Sequence, residues 1–189
     1  MNMLEFDNIA FHHPTALVYG KVSFGEGCSL WAYSVIRSEI NEVCVGKYTN
    51  IQDFVMIHVG DKTPVIIGDY CSIAHRAVIH GASIGNNCLI GVGAIIMDGC
   101  KIGDNSIVGA GVYLPAKTII PPNSIVAGNP GVITKTRNNY VANKLNALMY
   151  HTNAIHYAKG EYRAWNDPQV QREAREHFVR LSNELKRET

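Results

Sequence analysis

No apolar run in the 189-residue sequence reaches the roughly 18 residues of a membrane span, so no membrane partner is expected. An excess of one charge is also lacking: 17 Lys and Arg against 16 Asp and Glu leave a net charge of +1. Without a basic stripe, nucleic-acid binding has little electrostatic support. The five cysteines, Cys28, Cys44, Cys71, Cys88 and Cys100, show no CxxC spacing. Such an odd, scattered set reads as buried free thiols in a reducing compartment, not as a disulfide framework or a thiolate zinc site. The opening residues have neither a basic n-region nor an apolar h-region, so no signal peptide is expected and the expected location is cytoplasmic. Glycine is missing from one end: sixteen of the 17 lie at or before Gly131, leaving only Gly160 beyond.

What is present is a repeat. Aliphatic-Gly pairs recur at Val45-Gly46, Ile67-Gly68, Ile84-Gly85, Ile90-Gly91, Ile102-Gly103 and Val108-Gly109, and from position 84 to 114 the step is six without a slip. A hexapeptide period is the signature of a parallel β-helix. One aliphatic residue per hexad points into a prism, three hexads close a coil, and stacked coils bury a continuous column. The glycine after each aliphatic residue is expected at a corner, where the backbone needs φ freedom. Two irregularities interrupt the period. The step from Ile57 to Ile67 is ten, giving a short loop after His58, and the step from Ile79 to Ile84 is five, at His80.

Gly128-Asn-Pro-Gly131 ends the repeats. The expected organisation is a β-helix domain over 1–131 and a helical extension over 132–189. Apolar residues then take helical spacing: Val141, Leu145, Leu148, Met149, Ile155 and Ala158, with Asn138 or Asn139 as cap and Gly160 as stop. Asp167-Pro168 opens a second helix carrying Val170, Ala174, Phe178, Leu181 and Leu185. Each apolar stripe is expected to pack on a flat face of the β-helix, in the same or a neighbouring subunit.

The polar residues that break this scaffold are His58, His75 and His80. Three neutral imidazoles with an open fourth position form the ligand set of a hydrolytic zinc site. His58 and His80 are 22 apart; subtracting four inserted residues leaves 18, one full coil, so they stack on one face. His75, five residues before His80, falls on a different face or near an edge. A metal site would therefore take His58 and His80 from one subunit and His75 from a neighbour, and three-fold closure would repeat it three times in a homotrimer. Asp98, Lys101 and Asp104 read as solvated corner residues, and Trp31 and Trp165 as packing. His12 and His13 read as turn residues, and His151, His156 and His177 as solvated helix residues, with His156 also a candidate for the rim of the site.

Arg37-Ser-Glu39, Asn50-Ile-Gln-Asp53, His58 and His75-x4-His80-Gly81, in this order, resemble the γ-class carbonic anhydrase family over roughly residues 10–160. The resemblance implies a fold that is all-β with C-terminal α: a single-stranded left-handed parallel β-helix of hexapeptide repeats followed by packed helices, assembled as a trimer. It implies Zn2+, with Fe2+ or Co2+ as alternatives, held by His58, His75 and His80. It also implies reversible hydration of CO2 to bicarbonate by a metal-activated hydroxide. Gln52 would orient that hydroxide. Asp53 would fix a ligand imidazole, and Arg37 would hold bicarbonate or pair with a carboxylate. Glu39 stands where the family usually has the Asp of an Arg-Gly-Asp triplet. Asn153 and Tyr150 would reach toward the metal from the first helix. The loop after His58 contains only Asp61 as an acid, so proton transfer to buffer is expected to be slow. Other functions consistent with these residues are a hexapeptide acyltransferase, a thioester hydrolase and a catalytically weak or inactive metal-stabilised trimeric accessory protein.

Overall fold

The computed structural model describes residues 8–188; the leader-region reading rests on opening residues that lie mostly outside them. Strands mostly of two or three residues alternate with tight turns to form a three-sided parallel β-helix of about six coils, followed by two helices. This is the architecture expected from the hexapeptide period.

One face stacks Phe11–His12, Ser29–Leu30, Asn50–Ile51, Ser72–Ile73, Leu89–Ile90, Ile107–Val108 and Ser124–Ala127 in parallel; Val132–Thr136 folds back antiparallel on the last of these. The second face, here the histidine face, stacks the first part of Val35–Val45 with Met56–His58, Val78–His80, Ile95–Ile96 and Tyr113–Leu114. The third stacks the later part of Val35–Val45 with Val65–Ile67, Ser83–Ile84, Lys101–Ile102 and Ile119–Ile120. Leu30, Ile36, Ile51, Ile57, Ile73, Ile79, Ile90 and Ile96 point inward and are fully buried. They form the continuous column that makes each coil depend on its neighbours.

The glycines of the aliphatic-Gly pairs serve a different purpose from the one expected. Left-handed backbone is found at Tyr48, Tyr70, Asn87 and Asn105, each two residues after such a glycine, and not at Gly46, Gly68, Gly85 or Gly103. Those glycines are required by coil-on-coil approach. A Cβ on Gly68 would lie 2.7 Å from the carbonyl carbon of Gly85, and one on Gly103 would strike Pro122.

The cysteines are free thiols, four of them buried, and three belong to a ladder. At the residue before five of the seven parallel strands of the first face, a small donor reaches a main-chain oxygen of the following coil: Cys28 Sγ to Gly46 O (2.9 Å), Thr49 Oγ1 to Gly68 O (2.9 Å), Cys71 Sγ to Gly85 O (3.0 Å), Cys88 Sγ to Gly103 O (3.3 Å) and Ser106 Oγ to Pro121 O (3.2 Å). Thiol and hydroxyl are interchangeable donors here. Burial pushes the Cys28 thiol up to about 12 and raises Cys71 as well.

Helix α1 (Tyr140–Ala158) lies on the first face, and Gly160, with φ +80, terminates it. Its docking stripe is not the apolar one expected: the buried residues are Asn143, Ala147, Asn153 and Ala154, while Ile155 is exposed. Small side chains allow close approach. Asparagine amides satisfy main-chain oxygens left by the short strands: Asn143 Nδ2 donates to Asn87 O at 2.7 Å, and Asn139 Nδ2 to Asn105 O at 3.0 Å. Helix α2 (Pro168–Glu188) packs on α1, not on the β-helix, through Val170 and Leu181, and Phe178 from its expected stripe is 52% exposed. Among the described residues, no helix is long and apolar enough to cross a membrane.

Candidate metal centre

The hexapeptide step of inward aliphatic residues holds at two of the three corners in every coil. At the third, where the chain leaves the histidine face, it fails in three successive coils. The step is nine from Ile36 to Val45, ten from Ile57 to Ile67 and five from Ile79 to Ile84, and returns to six from Ile96 to Ile102. The sequence reading found the second and third departures and missed the first. That one is a bulge over Glu39–Asn41, seen where the pairing slips from Gly20↔Ser38 to Val22↔Val43.

This corner gathers Arg37, Glu39, His58 and His80. Arg37, His58 and His80 are successive register partners and project outward together. His58 Nδ1 lies 3.1 Å from His80 Nε2. Each ring has a carboxylate at its other nitrogen: Glu39 Oε2 lies 3.1 Å from His58 Nε2, and Asp98 Oδ2 lies 2.8 Å from His80 Nδ1. Arg37 Nη2 also approaches His58 Nε2, at 3.4 Å, but Arg37 Nη1 pairs with Glu39 Oε1 at 3.2 Å. The contact to the charged acceptor is the shorter and favours a hydrogen on His58 Nε2, whereas acceptance from Arg37 would put it on Nδ1, donated to His80 Nε2. Burial tends to raise the Glu39 carboxyl, yet its own backbone N–H, Arg37 and His58 together hold it below the usual carboxylate range.

The consequence is chemical. With both protons on the far nitrogens, His58 Nδ1 and His80 Nε2 would face each other as two lone pairs at 3.1 Å. In that tautomer neither donates to the other, and a cation between them would relieve the repulsion. Two nitrogens bound at about 2.0–2.1 Å to one tetrahedral zinc stand roughly 3.3 Å apart. The residues present therefore fit two ligand positions of such a metal.

His75 is elsewhere. It occupies the corner between the first face and the histidine face, stacked on Asp53, whose Oδ2 accepts from His75 Nδ1 at 2.9 Å, leaving Nε2 as the lone pair. Gln52 is only 2% exposed; its Nε2 donates to Asn50 Oδ1 at 2.9 Å, and its Oε1 accepts from His75 N at 3.2 Å. In the single chain, the Gln52 amide thus pins the His75 main chain. Tyr150 and Asn153 do approach this corner: with Trp31, Asp53, His75 and Trp165 they line a cavity of about 420 Å3. Trp31 lies edge-on to Tyr150 at 5.8 Å, and Tyr150 edge-on to Trp165 at 5.6 Å. Burial, then the Asp53 charge, raises the Tyr150 hydroxyl above its ordinary value.

The nine candidate residues thus fall into two groups at opposite edges of one face. Arg37, Glu39, His58 and His80 stand at one edge, and Gln52, Asp53, His75, Tyr150 and Asn153 at the other. Among the described residues of one chain, no three His, Cys, Asp or Glu side chains gather to hold a metal. Between the two groups runs an outward column of register partners: Leu17, Val35, Met56, Val78, Ile95 and Tyr113. Leu17 and Ile95 are exposed.

Several readings from sequence change. Asp98 holds His80, and Asp104 Oδ1 accepts from Asn86 N at 2.8 Å, so neither is merely a solvated corner. Trp165 lines the His75 cavity, and His151 Nδ1 meets Gly27 O at 3.0 Å, half-buried against the β-helix. Thr63 also belongs to the site: its hydroxyl donates to Asp98 Oδ1 at 3.0 Å. The 18-residue spacing of His80 and Asp98, one regular coil, was the signal available for that pairing.

A protein-family model described as Dynactin subunit 5 matches residues 16–159, more than half of the chain. A probable carbonic anhydrase of Methanocaldococcus jannaschii is 44% identical over 81 residues, 43% of this chain and 51% of that protein. The mitochondrial gamma carbonic anhydrase 1 of Arabidopsis thaliana is 43% identical over 98 residues, 49% of this chain and 36% of that protein. The chain therefore spans about a third to a half of the length of the curated relatives it matches. A crystal structure of a hexapeptide transferase family protein from Anaplasma phagocytophilum superposes with a TM-score of 0.66 at 28% identity, covering 79% of this chain and 91% of that one.

Proposed function

The chain belongs to the protein family described as Dynactin subunit 5 and is homologous to γ-class carbonic anhydrases, and from that premise we propose that it hydrates CO2 reversibly to bicarbonate at a metal centre shared between subunits of a homotrimer. The observation that carries this reading is the approach of His58 Nδ1 to His80 Nε2, 3.1 Å apart, with a carboxylate at the other nitrogen of each ring. His75 presents Nε2 in the same way, with Asp53 behind it. Zinc is the metal that best suits three imidazoles, with iron(II) or cobalt(II) as alternatives. When bound, it supplies the Lewis acidity that makes a nucleophile of water at neutral pH. Around it, Arg37 offers a guanidinium for the product anion, and Asp53 and Gln52 hold His75. Asn153 and Tyr150 wall the approach. The apolar column from Leu17 to Tyr113 is the surface on which a neighbour would bring its His75 beside His58 and His80.

A cavity of about 420 Å3 beside His75 is larger than CO2 needs and suits a small organic ligand. It favours, as a second reading, hydrolysis of a larger acyl substrate such as a thioester by the same metal chemistry.

Metal analysis and complementation test the shared site. Wild-type protein is expected to hold about one metal per chain, and His75→Ala and His80→Ala none. Co-refolded in equal amounts, the two variants should regain about one quarter of the wild-type metal and of stopped-flow CO2 hydration, because a quarter of randomly formed interfaces are intact. No recovery on mixing, with metal retained by either variant alone, refutes the arrangement. Metal recovery without CO2 hydration points to the acyl substrate or to a non-catalytic trimer.

A further inference from the structure

The loop inserted after His58 has a geometric role beyond carrying Asp61. It closes on itself through Gly60 N donating to Thr63 O at 2.9 Å, and Asn41 Nδ2 fastens it by donating to Gly60 O at 2.6 Å. This places the Thr63 hydroxyl 3.0 Å from Asp98 Oδ1, while Asp98 Oδ2 takes the Nδ1 hydrogen of His80 at 2.8 Å. Two glycines make room for the carboxylate. A Cβ on Gly60 would strike Asp98 Oδ1 and Thr63 Oγ1, and one on Gly81 would lie 2.5 Å from Asp98 Oδ1. Gly81 is also left-handed, with φ +55. Two irregular corners and one regular one thus meet at a single carboxylate.

We propose that Thr63 and Asp98 are positioning residues for His80. The inserted loop holds the Asp98 carboxylate, the carboxylate holds the hydrogen on Nδ1, and His80 is thereby committed to presenting Nε2 as a lone pair beside His58 Nδ1. The inference rests on the metal reading of the histidine pair. Its physical basis is that a ligating nitrogen must be free of its proton. A neutral imidazole without a partner behind it divides itself between two tautomers and two ring orientations, and the far-side acceptor removes that choice. The anchored Thr63 does the same for the carboxylate, which is only partly buried.

The test reads tautomer and affinity, not turnover. In metal-free protein labelled with 15N-histidine, with His80 identified by its loss in His80→Gln, the ring should carry its hydrogen on Nδ1. Asp98→Ala should convert it to a mixture. Zinc affinity, measured by chelator competition, should fall about 10–100-fold in Asp98→Ala and roughly 2–10-fold in Thr63→Val. Thr63→Val alters only the loop, so it keeps the test decisive should Asp98→Ala fail to assemble. Wild-type tautomer and wild-type zinc affinity in both variants overturn the inference. Wild-type protein that binds no zinc, yet shows the Nδ1 hydrogen that Asp98→Ala abolishes, supports the positioning of His80 while overturning the metal reading.

Discussion

The corner that carries His58 and His80 and the two corners beside it are turns of the same hexapeptide, yet they treat chain length differently. At the regular corners, every coil passes from one inward aliphatic residue to the next in six steps, because the turn has nothing to do but deliver the chain to the column in phase. At the histidine corner, three successive coils take nine, ten and five steps, and still deliver Val45, Ile67 and Ile84 to the core. The column is therefore indifferent to what happens outside it, provided the strands re-enter in register. Extra or missing residues become the means of placing Glu39, Thr63 and Gly81 around two imidazoles.

That contrast can be broken from either side. The largest expected effect is in the regular column: Ile96→Ala, at a fully buried position, should cost about 2–5 kcal/mol in denaturant unfolding while folded protein keeps its metal. Excision of Asp61 to Pro64, which returns the step after His58 to six, should do the reverse. Stability should change by no more than about 1–2 kcal/mol, the worth of the few hydrogen bonds removed, and zinc affinity should fall about 10–100-fold. A collapse of stability on excision would show that the loop belongs to the scaffold. Next, Gly103→Ala has an unstrained φ but no room against Pro122, and should cost roughly 1–3 kcal/mol as an overpacking defect; a neutral result would show that the coils can part.

A smaller effect sharpens the His75 edge. Tyr150 is raised first by burial and then by the Asp53 charge. Asp53→Asn should move its spectrophotometric titration down, toward but not reaching the ordinary tyrosine value of about 10. The sign for stability follows: a raised tyrosine contributes fully below the unfolded value and loses its contribution as pH rises through the folded one. The alkaline limb of unfolding should therefore weaken in the variant. The smallest effect is expected for Cys71→Ser, below about 1 kcal/mol, since the hydroxyl can donate to the same Gly85 oxygen.

The β-helix was readable because its period is short and its inward residues are all aliphatic. The site was readable where it coincided with a break in that period, as at His58 and His80. The bulge over Glu39–Asn41 escaped notice because Ile40 supplies an aliphatic residue that points outward, 71% exposed, so composition masked the slip. Asp98 escaped because an acid in a Gly-rich turn is ordinarily solvated, and only three-dimensional stacking puts it behind His80. The docking face of α1 was misjudged for a related reason. Apolar periodicity locates the face that avoids water, whereas a helix laid over short strands must also satisfy main-chain oxygens, and Asn143 and Asn139 do so.

The buried thiols give the molecule a built-in ruler. Cys28, Cys71 and Cys88 sit in different coils along one corner, and Cys100 lies at another. Only Cys44, half-exposed, is open to reagent in the folded state. Thiolate is the reactive form, and burial suppresses it at Cys28 and Cys71. Each buried site therefore alkylates only when its own coil opens. A pulse of alkylating reagent followed by peptide mass mapping would record how far the stack has unzipped, and from which end, without any cysteine being introduced.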